Sequence, residues 1–146
     1  MPSKADDPRI TSMHEAAHAV LALTYGLNIK AQVIDEFDSN GYMEFDQDIT
    51  PNTDAVVSLA GFVVEVDYLN VPKARAMRHA RSDLEDVDTA AHKAMDTVGG
   101  RKLFKEQATS IAKTLIAKHM RVIKKVASQL MTGAKIEITV DQFRKM

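Results

Sequence analysis

The chain has 146 residues, 27% charged and 45% apolar, with a net charge of −1 and no cysteine. That length fits one domain, residues 1–146, large enough to bury a real core. The near-zero charge gives no electrostatic reason to expect nucleic acid or an anionic membrane as partner. Without thiols there is no disulfide and no thiolate zinc site, so any metal must be held by His, Asp or Glu.

No apolar run approaches a membrane span, and the polar start lacks the apolar stretch of a signal peptide. The expected location is cytoplasmic. No phosphate loop of the GxxxxGK[ST] kind occurs, so no use of ATP is expected.

Residues 1–9 read as a flexible tail. A helix is expected over 10–26, from Ile10, Met13, Ala17, Val20 and Leu21 at spacings of three and four, with Gly26 at its C-terminal end. IKAQVIDEF and GYMEF, separated by DSN, read as a hairpin. Pro51 opens a helix over 53–69 whose centre, VVSLAGFVVEVDYL, is apolar nearly all round, as a central buried helix would be. The basic stretch VPKARAMRHAR comes next, with Lys73, Arg75, Arg78 and Arg81. Its ordinary reading is a solvated loop or helix turn, and its sharper one a patch for anions or an acidic partner.

SDLE at 82–85 has the form of a capping box, with Ser82 as N-cap and Glu85 three residues on. Leu84, Val87, Ala91, Ala94, Met95 and Val98 then mark a helical face that Gly99 and Gly100 end. A long helix is expected over 102–131, with Phe104, Ala108, Ile111, Leu115, Val122, Val126 and Leu130 inward and Gly133 terminating it. IEI reads as a short strand or extended turn, and Thr139 with Gln142 as the capping box of a last short helix. The fold class is mainly α (α+β), one helical domain with a small antiparallel sheet or hairpin.

The chemistry concentrates in HEAAH, residues 14–18. On a helix, positions i and i+4 share a face, so His14 and His18 can point two imidazoles at one ion. Glu15 lies about 100° round the helix, able to reach a water at the metal without ligating it. Zinc on neutral imidazoles lowers the pKa of water to near 7, and a carboxylate so placed can act as general base. The plainer alternative is a pair of satisfied core histidines on a tightly packed helix. A zinc site needs a third protein ligand. Glu65, an acid in an apolar helix and costly there unless paired, and Asp83, at the start of a helix where acids favour the dipole, are both candidates. Spacing does not choose between them.

In order along the chain, these segments resemble the peptidase domain of the FtsH-type zinc metalloproteases, from about residue 10 to the end. HEAAHAVLAL is similar to that family's HEAGHALVA helix, SLAGFVVEVDYL to its LGGRAAEELIF segment, and RSDLEDV to its SNDLERAT segment. IKAQVID and NGYMEF resemble its strand pair. KAMDTVGG resembles the family's stretch after SNDLERAT, and the C-terminal residues resemble its closing helix, turn and short helix. The resemblance implies His14, His18 and Asp83 as zinc ligands, Glu15 as general base and Glu65 as a partner of a histidine ligand. It also implies that a polypeptide substrate adds as a strand near GYMEF.

The departures are Ala17 for a glycine, Phe62 for an arginine, Val66 for a second glutamate, and no AAA+ module or membrane span. The expectation is therefore an ATP-independent zinc metalloendopeptidase acting on flexible or unfolded polypeptide. The alternatives are a non-catalytic metal-binding interaction module, or a regulatory protease for one protein partner.

Overall fold

The computed structural model describes residues 7–33 and 41–146. Helix α1 spans Pro8–Thr24; Asp7 caps it by accepting the Arg9 amide, and Pro8 occupies a first-turn position where a missing N–H costs nothing. Every residue from Ala16 to Leu23 is buried. The small side chains of Ala16, Ala17, Ala19 and Ala22 let neighbouring elements approach α1 closely, so α1 is as central as the helix expected to be. Gly26 leaves α1 in the left-handed region, φ 82°.

Strands β1 (Ile29–Val33) and β2 (Gly41–Phe45) pair antiparallel, with Ile29 opposite Phe45. The rest of the expected hairpin, residues 34–40, lies outside the described residues, as does 1–6 of the expected tail. The IEI segment is a true strand, β3 (Ile136–Ile138), pairing with the other side of β1 to give the order β2-β1-β3. Ile29, Ala31 and Ile138 are buried, while Lys30, Glu44 and Glu137 face out. That alternation is what a sheet with one covered face requires.

Helix α2 (Pro51–Asp67) is capped by Thr50 and packs on α1. The basic stretch forms a short helix, α3 (Lys73–His79), and runs into the next helix at Arg81; Lys73, Arg78 and Arg81 are exposed.

Helix α4 (Arg81–Ala94) begins after a single residue, which overturns the expected cap at Ser82. The N-cap is Ala80, with no side-chain bond; its carbonyl accepts the Leu84 amide while its own N–H bonds Ala76. Because α3 leads so directly into α4, Ser82 already lies inside the first turn, too late to cap it. The glycine pair also does not end this helix. Met95 is extended at φ −135° and ψ 138°, and Thr97 caps a new helix, α5 (Val98–Leu130), by accepting the Gly100 amide at 2.9 Å. Met95 and Val98 are accordingly exposed rather than on the inner face. In α5, Ile111 faces out; Phe104, Ala108, Ala112 and Ile116 form the inner stripe up to a distortion at His119, and Val122, Ile123, Val126 and Leu130 continue it. Gly133 comes after it with φ 77°, and Thr139 and Gln142 form the expected capping box of α6 (Val140–Arg144).

The architecture is thus helices α1, α2, α4 and α5 packed on one another, with the three-stranded sheet against α1. It packs α2, which carries Glu65, against both α1 and α4, and brings Asp83 at the start of α4 to the turn of α1 that carries His14 and His18.

Candidate metal centre

His14 and His18 lie one turn apart on α1, both almost wholly buried, their rings 4.7 Å apart and steeply inclined. Each ring is held from its outer side. His14 Nδ1 lies 2.5 Å from Glu65 Oε2, and His18 Nδ1 lies 2.7 Å from the backbone carbonyl of Val57. A carboxylate and a carbonyl can only accept here, so each Nδ1 carries the proton and donates it. In the neutral rings this leaves both Nε2 atoms with bare lone pairs, and both point at one oxygen. Asp83 Oδ2 stands 2.9 Å from His14 Nε2 and 3.0 Å from His18 Nε2.

Three acceptors converging on one point repel unless something positive lies between them. The inner nitrogens have no hydrogen left to give Asp83 unless a ring takes up an extra proton, and a cation fits the donor set without one.

A tetrahedral ion bonded at about 2.0–2.2 Å would hold its ligands roughly 3.3–3.6 Å apart. The observed 2.9 and 3.0 Å separations ask for an opening of a few tenths of an ångström. All three ligand atoms lie within 4.8 Å of one another. The outward Nδ1 bonds to a carboxylate and a backbone carbonyl are the usual means of orienting histidine ligands. His14, His18 and Asp83 therefore form a group that could hold a metal ion.

The electrostatics arise from the same convergence. Burial disfavours the His14 imidazolium, but the Asp83 and Glu65 carboxylates bonded to it, together with the Glu15 charge, outweigh that and raise its pKa to about 10. His18 is raised as well, burial being overcome by its bond to Asp83 and that residue's charge. The Asp83 carboxyl, though partly buried, is held well below the usual carboxylate range by the two rings.

Glu65 has no exposed surface and meets His14 on the Nδ1 side, away from the point of convergence. Of the two acids the sequence left open, Asp83 joins the imidazoles and Glu65 braces one of them. Glu15, half-buried, lines the same open cleft of about 430 Å³ as His14, His18 and Asp83. Phe45, at the end of edge strand β2, lies on its wall.

Two contributors escaped the sequence reading. Gly61, in the middle of α2, lies against the His14 ring so closely that a Cβ there would stand 2.3 Å from Cε1 and Nε2. Its signal was a glycine in a helix interior, which costs about 1 kcal/mol against alanine and calls for a reason. His79, at the end of α3, bonds the second oxygen of Glu65 through Nδ1. Nothing in its basic surroundings marked it.

In comparisons with known proteins, the chain matches no protein-family model and no curated protein. No described helix is long and apolar enough to cross a membrane.

Proposed function

We propose that this chain is a zinc metalloendopeptidase of the FtsH-like kind its segments resemble, acting without ATP on flexible or unfolded polypeptide. One observation carries the reading. Two histidines at i, i+4, each with Nδ1 tied outward, turn their Nε2 atoms onto Asp83, with Glu15 in the same cleft.

His14, His18 and Asp83 would hold the ion. Zinc in such a place supplies Lewis acidity, lowering the pKa of water and polarising a carbonyl. Glu15 then acts as general base and acid. It takes a proton as the water oxygen bonds to the peptide carbonyl carbon, and delivers it to the amide nitrogen as the C–N bond breaks. A binding scaffold has no use for a carboxylate at that position, which favours the enzyme over an interaction module.

Among the described residues β2 is an edge strand, and its end beside the cleft suits an extended peptide that adds as a further strand. Such binding needs several residues without stable structure. Unfolding a domain costs about 5–15 kcal/mol, and no nucleotide motif in these residues could supply it. The test is metal analysis of the purified protein together with digestion of a casein-like unfolded protein and of a stable folded domain, with and without chelator. About one zinc per chain, with chelator-sensitive cleavage of the unfolded protein alone, is the expected result. Cleavage that survives complete removal of metal overturns the proposal, and zinc binding without any cleavage transfers it to the interaction module.

A further inference from the structure

Glu65 is the one fully buried acid among the described residues. A carboxylate removed from water is strongly destabilising unless both oxygens find donors. Here they are divided between two rings, Oε2 on His14 and Oε1 on His79. His79 makes no other polar contact among the described residues. Its Nε2 is buried and unpartnered, so the ring's single polar interaction is with Glu65.

We infer that His79 is a positioning residue of the metal centre: acting through Glu65, it fixes the orientation and tautomer of His14 and so sets how tightly the centre holds zinc. The inference rests on the metal reading proposed above. Its basis is the place where α3 and α4 meet. His79 closes α3 and Asp83 lies four residues on, with only the buried Ala80 between the two helices. One short segment thus reaches His14 from both sides. Asp83 meets Nε2 directly, and His79 holds the carboxylate that meets Nδ1.

Without the His79 donor, Oε1 of a carboxylate with no exposed surface loses its partner. The carboxylate must then rotate, take up a proton or admit a water molecule. Each response alters the bond that keeps the His14 proton on Nδ1 and leaves Nε2 free to ligate.

The test compares the full-length wild type with two variants. In His79→Asn the amide nitrogen can take the place of Nδ1, whereas His79→Leu keeps similar bulk and offers no donor. Zinc affinity is measured by competition with a chromophoric chelator on protein shown to be folded by circular dichroism. The His14 ring nitrogens are followed by ¹⁵N NMR in the metal-free protein. His79→Leu is expected to weaken zinc binding about 10- to 100-fold and to shift the His14 Nδ1 resonance, while His79→Asn restores most of both.

Wild-type affinity in His79→Leu overturns the inference, as does a His79→Asn variant as weak as His79→Leu. If His79→Leu does not fold, His79→Gln, whose amide reaches the place of Nε2 instead, takes its role with the same expectation. A wild type that binds no zinc overturns the metal reading and this inference with it, an outcome read before any variant is made.

Discussion

Gly61→Ala isolates the geometry of the centre from its chemistry, since it changes no polar group. The added Cβ would stand 2.3 Å from Cε1 and Nε2 of His14 and 2.5 Å from Cδ2, where ordinary contact begins at 3.4 Å. The ring must therefore retreat by about 1.1 Å, the difference between 3.4 and 2.3 Å, against a tolerance of about 0.2 Å in metal-ligand distances. Retreat is opposed on one side by the 2.5 Å bond to Glu65. For stability two effects compete. Overpacking a core costs about 1–3 kcal/mol, while alanine in a helix interior recovers about 1 kcal/mol over glycine. The net loss of about 0–2 kcal/mol lowers Tm by roughly 0–8 °C for a chain near this size. Zinc affinity should fall by at least about 100-fold, the upper end of what losing an outer partner costs, because here a ligand itself is displaced. Chelator competition on protein shown to be folded by circular dichroism measures this. A folded Gly61→Ala protein with wild-type zinc affinity would refute the placement of His14 as a ligand.

Asp83→Ala should abolish tight zinc binding. It should also lower the stability of the metal-free chain by leaving two buried imidazoles without their shared partner, as a denaturation series would show; a variant retaining its zinc removes Asp83 from the ligand set. The metal-free chain should be most stable between about pH 4 and 6.5. His14, with its pKa raised from 6.5 to about 10, contributes fully below 6.5 and loses that contribution as pH rises through about 10, and Asp83, lowered from 3.8, loses its contribution as acid protonates it. A denaturant midpoint that climbs steadily into alkaline solution would contradict this. Zinc affinity should run the other way and rise with pH, since the ion competes with the proton on His14; a pH-independent affinity counts against His14 as ligand.

The pair His14 and His18 was legible because its spacing is internal to one helix, where i and i+4 share a face whatever the tertiary structure. The third member of the group was not, because Glu65 and Asp83 sit on different helices and no spacing says which side of His14 each approaches. Glu65 reaches Nδ1 through the packing of α2 on α1, and Asp83 reaches Nε2 from the start of α4, which follows α3 at Ala80. That same junction defeated the expected cap at Ser82, since SDLE has the right residues but a helix that begins before them. Gly99 and Gly100 were read as a stop, whereas Thr97 makes them the first turn of α5. Thr139 and Gln142 were read correctly because a capping box is satisfied entirely within four residues.

The central claim concerns Glu15 working beside a metal held by its neighbours. The measurement that bears on it most directly is the rate at which zinc-loaded wild type and Glu15→Gln cleave a casein-like unfolded protein, at matched metal content. Glutamine preserves the shape and leaves His14, His18 and Asp83, the proposed ligands, untouched, so zinc should remain. The rate should fall about a hundred- to ten-thousand-fold with loss of the general base. Equal cleavage by the two proteins, both loaded with zinc, would contradict the account.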